Sequence, residues 1–122
     1  GVADGVVSIF APCAHEEFCR ILKKEGILVV AGAGKEHLLG LKEAIYDQAY
    51  VNTDREDMPV DMTLVCEREI RYDIALTSNK EIMDLFSMTP YYYRTGEQDL
   101  AKLSRLDNLT SQVDVKICLY RK

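Results

Sequence analysis

The sequence has 122 residues, 48% hydrophobic and 29% charged, with a net charge of -5; this describes a single globular domain and excludes disordered and fibrous classes. No apolar run approaches the roughly 20 residues of a membrane-spanning helix, and no secretory signal precedes Asp4. The acidic balance argues against a general nucleic-acid binder, because phosphate affinity rests on clustered Lys and Arg.

Taken in order, the chain opens on a nearly continuous apolar run, Val6 to Phe10, that Pro12 ends. A start without methionine, this close to a core strand, reads as a cut from a longer chain. A helix is expected from Ala14 to about Lys24, with Phe18, Ile21 and Leu22 on one face. Glu16 and Glu17 fall in its first turn and Lys23 and Lys24 in its last, as the helix dipole favours. Gly26 is the expected stop. A second apolar run, Ile27 to Ala31, follows. Two such runs joined by a helix read as a βαβ unit of a parallel sheet buried on both faces. In such sheets ligands gather at the carboxyl ends of the strands, here Phe10-Ala11-Pro12-Cys13 and Gly32 to His37.

Leu38, Leu41 and Ile45 give the next helix its apolar stripe. Residues 52–61, NTDREDMPVD, read as an exposed acidic loop. From Met62 to Leu76 the period becomes two, with one apolar face and one wet face, which predicts a long strand near a sheet edge. Arg68 breaks the parity and marks a possible bulge. Ser78 to Glu81 is a capping box before a helix carrying Ile82, Leu85 and Phe86. Pro90 breaks that helix, and Tyr91, Tyr92 and Tyr93 follow. A second capping box is expected at Thr95 to Gln98, before a helix with Leu100, Leu103 and Leu106. The last strand, about Gln112 to Tyr120, alternates and fits antiparallel pairing beside the long strand.

Several patterns could carry chemistry. Gly32-Ala33-Gly34-Lys35 fails as a nucleotide loop, since Glu36 stands where Ser or Thr is needed and His37 where a third glycine would be; a flexible strand-to-helix turn is the reading left. His37, just past a strand end, is either a surface histidine or a ligand contact, and His15 is expected in solvent. Met88 to Arg94 combines aromatics with a cation: either a packed loop or a surface on which bases stack. Asp54, Glu56, Asp57 and Asp61 lack calcium-loop spacing. None of the four cysteines forms a Cys-x-x-Cys pair, so no structural zinc site is expected. Cys19, Cys66 and Cys118 lie in apolar patterns and are expected in the core, while Cys13 is expected to be accessible. This usage suits a reducing cytoplasm.

The stretches SIFAPCAHEEFCRILKKEGILVVAGAGKEHLLGLKEAIYD, SNKEIMDLFSMTPYYYR and VDVKICLYRK resemble the carboxyl-terminal part of the large-subunit ribosomal RNA guanine-N1 methyltransferases, class I enzymes that use S-adenosylmethionine. The resemblance covers essentially the whole chain. It implies an α/β fold: the later half of a three-layer Rossmann-like methyltransferase sheet, with two parallel strands and their helices, a long edge strand and a terminal antiparallel strand. It implies that His37 contacts S-adenosylmethionine and that Phe10, Ala11 and Pro12 border the target base; as a hypothesis, Phe10 and the Tyr91 to Tyr93 cluster stack on that base, with Tyr91 and Tyr92 as the candidate substrate contacts. The family's four-cysteine zinc module and its cofactor-binding glycine loop have no counterpart in these 122 residues. The chain is therefore expected to be a partial domain that binds S-adenosylmethionine poorly alone, with ribosomal RNA as the partner of the complete enzyme. Asp4 lies at the wrong end of its strand, which leaves the proton acceptor unassigned. The other class of function consistent with these residues is a non-enzymatic α/β interaction or dimerisation module. A Val6 to Phe10 strand without a neighbour would be an apolar edge that a homodimer or a segment swap could cover.

Overall fold

The computed structural model describes residues 1–47, 59 and 61–122. The elements are β1 (Ala3–Ile9), α1 (His15–Ile21), β2 (Leu22–Ala33), α2 (Leu39–Ile45), β3 (Thr63–Leu76), α3 (Asn79–Ser87), a 3-10 turn (Pro90–Tyr93), α4 (Glu97–Ser104) and β4 (Leu109–Arg121). One four-stranded sheet has the order β1-β2-β4-β3. β1 runs parallel to β2, pairing Gly5 with Ile27 and Ile9 with Ala31. β4 runs antiparallel to β2, pairing Arg121 with Ile27 and Val115 with Ala33. This is the mixed α/β arrangement expected of the later half of a Rossmann-like methyltransferase sheet. Of the expected acidic loop at 52–61, all but Pro59 and Asp61 lie outside the described residues.

The chain forms two compact units. One comprises Gly1–Lys35, the described part of Thr53–Ile70, and Asp114–Lys122; the other comprises the described part of Glu36–Asn52, and Arg71–Val113.

In the first unit, helix α1 ends at Ile21, a turn before the expected Lys24, and β2 begins at Leu22. Lys23 and Lys24 are thus strand residues, and Gly26 lies inside β2 instead of stopping a helix. The cause is distant in sequence. The Lys122 ammonium donates to the carbonyls of Cys19 and, at 2.8 Å, Leu22, which satisfies the helix end early. Main-chain bonds from Glu25 N–H to Lys122 O (3.2 Å) and from Lys122 N–H to Gly26 O (3.0 Å) then hold the irregular stretch. Glu25 adopts φ 67°, and the β1–β2 register shifts there. The regular part of the strand is the expected Ile27 to Ala31. Leu22, Leu28 and Tyr120 form the buried cluster, with Val6, Phe18, Val30, Met62 and Cys118 packed on it.

β3 is an edge strand, but the middle of its expected apolar face is exposed. Leu64, Ile70 and Tyr72 are exposed, as is Val65 on the other face. Cys66 is exposed with them, contrary to its expected core position; only Cys19 and Cys118 are partly buried. Of the expected face, Met62 packs on the Leu22 cluster and Leu76 on the core of the second unit, while the middle stays exposed. At the other edge of the sheet, β1 exposes Val7 and Ile9.

The second unit has a closed core of Leu38, Leu41, Ile45, Ile82, Phe86 and Leu103. Ser78 caps α3 as expected, its hydroxyl accepting from Glu81 N–H at 3.2 Å, while the Glu81 carboxylate reaches back to Thr77 N–H at 2.7 Å. The second capping box does not form. The Thr95 hydroxyl donates instead to Tyr91 O (2.7 Å), closing the 3-10 turn, and Gly96 takes the N-cap position of α4. Asn79 Nδ2 donates to the carbonyls of Leu103, Ser104 and Leu106 at 3.1, 3.2 and 2.7 Å, finishing the end of α4.

Candidate functional site

Parallel pairing makes the carboxyl ends of β1 and β2 leave the sheet on the same side, and Phe10 N–H donates to Ala31 O at 2.9 Å. Phe10 follows directly and holds φ 47°, in the left-handed region that a bulky residue rarely adopts. More than half of its ring surface faces solvent, and Ala11, Pro12 and Cys13 are exposed as well. A strained aromatic displayed at a strand end is a recurrent mark of a functional site. Its backbone conformation was not visible in the residue pattern.

At the end of β2, Gly34 N–H donates to Asp114 O at 2.7 Å. A Cβ on Gly34 would collide with the Asp114 carboxyl group. Glycine is needed here for close approach and not for flexibility, since no glycine has positive φ among the described residues. Asp114 itself is buried, at 6% exposure, on β4. A buried carboxylate against a glycine at a strand end is a candidate that the alternating pattern of β4 disguised as an ordinary outward-facing residue.

In the second unit, His37 sits half-buried in the turn formed by residues 35–38, ahead of α2. Leu38, its neighbour, holds φ 55° and donates its N–H to Gln112 O at 2.8 Å. Gly40 N–H and Leu41 N–H, orphan donors at the start of α2, go to Gln112 Oε1 (2.8 Å) and Ser111 Oγ (3.1 Å). Two side chains of β4 thus fix the helix that follows His37. Glu36 forms an ion pair with Arg71. These two, with Tyr72, Asp73, Gln112 and Val113, line an open depression of about 280 Å³.

The tyrosines separate by role. Tyr91 is partly buried: its ring meets Tyr46 edge-on at 6.3 Å, and the Lys42 ammonium lies 5.6 Å from its centroid. Lys42 is fully buried on α2, and burial lowers its pKa from the ordinary lysine value. Its place on the stripe Leu38, Leu41, Ile45 was readable from spacing. Tyr92 leans on core residue Phe86 at 5.7 Å and is half exposed, whereas Tyr93 is almost wholly exposed. His15 corrects the expectation of a solvent histidine: both ring nitrogens are buried without a hydrogen-bond partner among the described residues, and the ring meets Phe18 edge-on at 6.4 Å.

The described residues bring together Phe10 to Pro12 in the first unit, and the Tyr91 to Tyr93 turn in the second. The depression beside Glu36 and Arg71 is open to solvent and lies in the second unit, away from Phe10 to Pro12 in sequence. The fit to that cofactor is therefore incomplete. No cluster of His, Cys, Asp and Glu suited to a metal occurs among the described residues, and no described helix is long and apolar enough to cross a membrane.

No family model matches the chain. Over an alignment of 123 positions that covers 98% of the chain, it is 25% identical to a Bacillus subtilis (strain 168) protein named "Putative 23S rRNA (guanine-N(1)-)-methyltransferase YxjB". The chain spans 44% of that relative's length.

Proposed function

We propose, from that full-length likeness, that this chain is the carboxyl-terminal portion of an S-adenosylmethionine-dependent methyltransferase domain. The complete enzyme acts in the cytoplasm on guanine N1 of large-subunit ribosomal RNA. His37 contacts the methyl donor; Phe10, Ala11 and Pro12 border the target base, with Tyr91 and Tyr92 as further substrate contacts. The carrying observation is the 98% coverage by a relative bearing a methyltransferase name. The left-handed Phe10 at the end of β1 and the parallel β1–β2 pair support it.

In such a reaction S-adenosylmethionine supplies the methyl group, and the protein's share is to align two reactants and remove the N1 proton. In this reading the loops at the strand ends do the aligning, and the group that takes the N1 proton is unassigned. The target guanine has to leave its pair or be flipped out before N1 is accessible. The zinc module of the resembled family lies outside these residues.

The test is methylation of ribosomal RNA by the complete protein, read as a reverse-transcription stop at N1-methylguanine. His37→Ala should raise the KM for S-adenosylmethionine with the RNA KM unchanged. A complete protein that leaves guanine N1 unmodified on naked and particle-bound RNA sinks the reading. The 122-residue chain alone should give no calorimetric signal with S-adenosylmethionine; micromolar binding would overturn the partial-site assignment.

The exposed Val7 and Ile9 on edge strand β1 favour a second reading, a non-enzymatic interaction module that forms a homodimer or swaps segments. Light scattering of the chain at high concentration discriminates: a monodisperse monomer rejects it.

A further inference from the structure

We propose that Tyr93, with Met88 and Arg94, forms a stacking platform for one unpaired base of single-stranded RNA. The proposal rests on the RNA-methyltransferase reading and deepens it by separating Tyr93, which is held in solvent, from Tyr91 and Tyr92, which lean on the core.

Tyr93 is 87% exposed and Met88 76% exposed, the two ends of one short connection from α3 through the 3-10 turn. Such exposure in a floppy loop would mean little, but this turn is over-determined. Pro90 sits in its first turn. The Thr89 hydroxyl donates to Phe86 O at 2.7 Å. Tyr91 O accepts from Arg94 N–H (3.0 Å), Thr95 N–H (3.0 Å) and the Thr95 hydroxyl (2.7 Å). Aromatic contacts run outward from the core: Phe86, 1% exposed, supports Tyr92, and Tyr92 meets Tyr93 at 5.1 Å and 87°. A ring displayed in water by a rigid support has already lost the freedom that binding would otherwise remove.

The occupant follows from chemistry. A protein partner of standard size needs about 800 Å² of complementary surface per side. Here the exposed residues near the aromatic ones in sequence are Ser87, Pro90, Arg94, Gly96, Glu97 and Gln98, so the apolar feature is small and mostly bordered by polar residues. Nucleobases instead stack on single aromatic rings, and Arg94 supplies one cation for a neighbouring phosphate. In a chain of net charge -5, stacking has to carry most of the affinity.

The test uses the full 122-residue chain and a fluorescein-labelled 12-nucleotide single-stranded RNA, followed by anisotropy at several salt concentrations. Tyr93→Ala should weaken binding roughly 5- to 100-fold, with unchanged circular dichroism and melting temperature. Tyr93→Trp should restore binding. Arg94→Gln should flatten the salt dependence by about 0.7 in log–log slope, the value for one phosphate on a single strand. The platform is overturned if the unaltered chain binds no RNA, if Tyr93→Ala binds equally well, or if Tyr93→Trp does not recover it. It is also overturned if Tyr93→Ala changes only the oligomeric state, which would make this face a protein contact. Failure of the complete enzyme to methylate guanine N1 leaves these binding measurements standing, so the two proposals fall separately.

Discussion

The two units solve the burial problem differently. The second closes a core of six buried apolar side chains from α2, α3 and α4 and the turn before α2. Among its described hydrophobic residues the first buries Leu22, Leu28 and Tyr120, and leaves Val7, Ile9, Leu64 and Val65 open to water. Hydrophobic contacts are worth about 25 cal/mol per Å² removed from water, so exposed strand residues contribute little until something covers them. Among the described residues, the helical unit surrounds its apolar side chains more fully than the sheet unit does.

The sharpest way to break that contrast is truncation within each unit. Phe86→Ala should cost about 3–5 kcal/mol, because the ring is 1% exposed in the closed core. Val7→Ala should stay within about 0.5 kcal/mol. Equal losses in urea denaturation would show that the sheet unit is covered in solution. Next in size is Gly40→Ala, whose added methyl would run into Thr110 O, a backbone atom that cannot move aside. A loss of about 1–3 kcal/mol is expected from such overpacking, read as a lowered melting temperature. Asn79→Ala leaves the carbonyls of Leu103, Ser104 and Leu106 without that donor and should cost about 1–2 kcal/mol, read as faster amide exchange near the end of α4.

The smallest effect at neutral pH belongs to Tyr120 in the sheet unit. Burial, with Cys118 beside it, pushes its phenol from 10.0 up to about 12. The folded state therefore keeps a proton that the unfolded state releases. Its contribution is whole below pH 10 and is lost as pH rises through about 12. Tyr120→Phe should remove that alkaline slope, and ultraviolet titration should show a late-ionising tyrosine in the unaltered chain that the variant lacks. A variant with the same alkaline unfolding curve would place the late group elsewhere.

Much of this was readable from residue order, and the exceptions share a cause. Period-two and continuous apolar runs located the sheet strands, and Ser78 with Glu81 marked a helix start, because those signals are local. The early end of α1 depends on Lys122, about a hundred residues away, which no local pattern carries. The strained Phe10 and the fit of Asp114 against Gly34 are likewise tertiary facts. Thr95 obeyed the capping pattern in sequence but was claimed by Tyr91 O. Periodicity told which face of β3 is greasy; it could not tell whether anything lies on it.

The position of β4 between β2 and β3 has a consequence for how the protein is made. During synthesis the inner strand leaves the ribosome after every other described element. Until it arrives, the nascent β2 and β3 have no shared neighbour, and their open edges are available to any passing strand. A chaperone that shields such edges should therefore be needed late in translation, and slowing the codons for residues 109–121 should lower the yield of folded protein more than slowing those for α3 or α4.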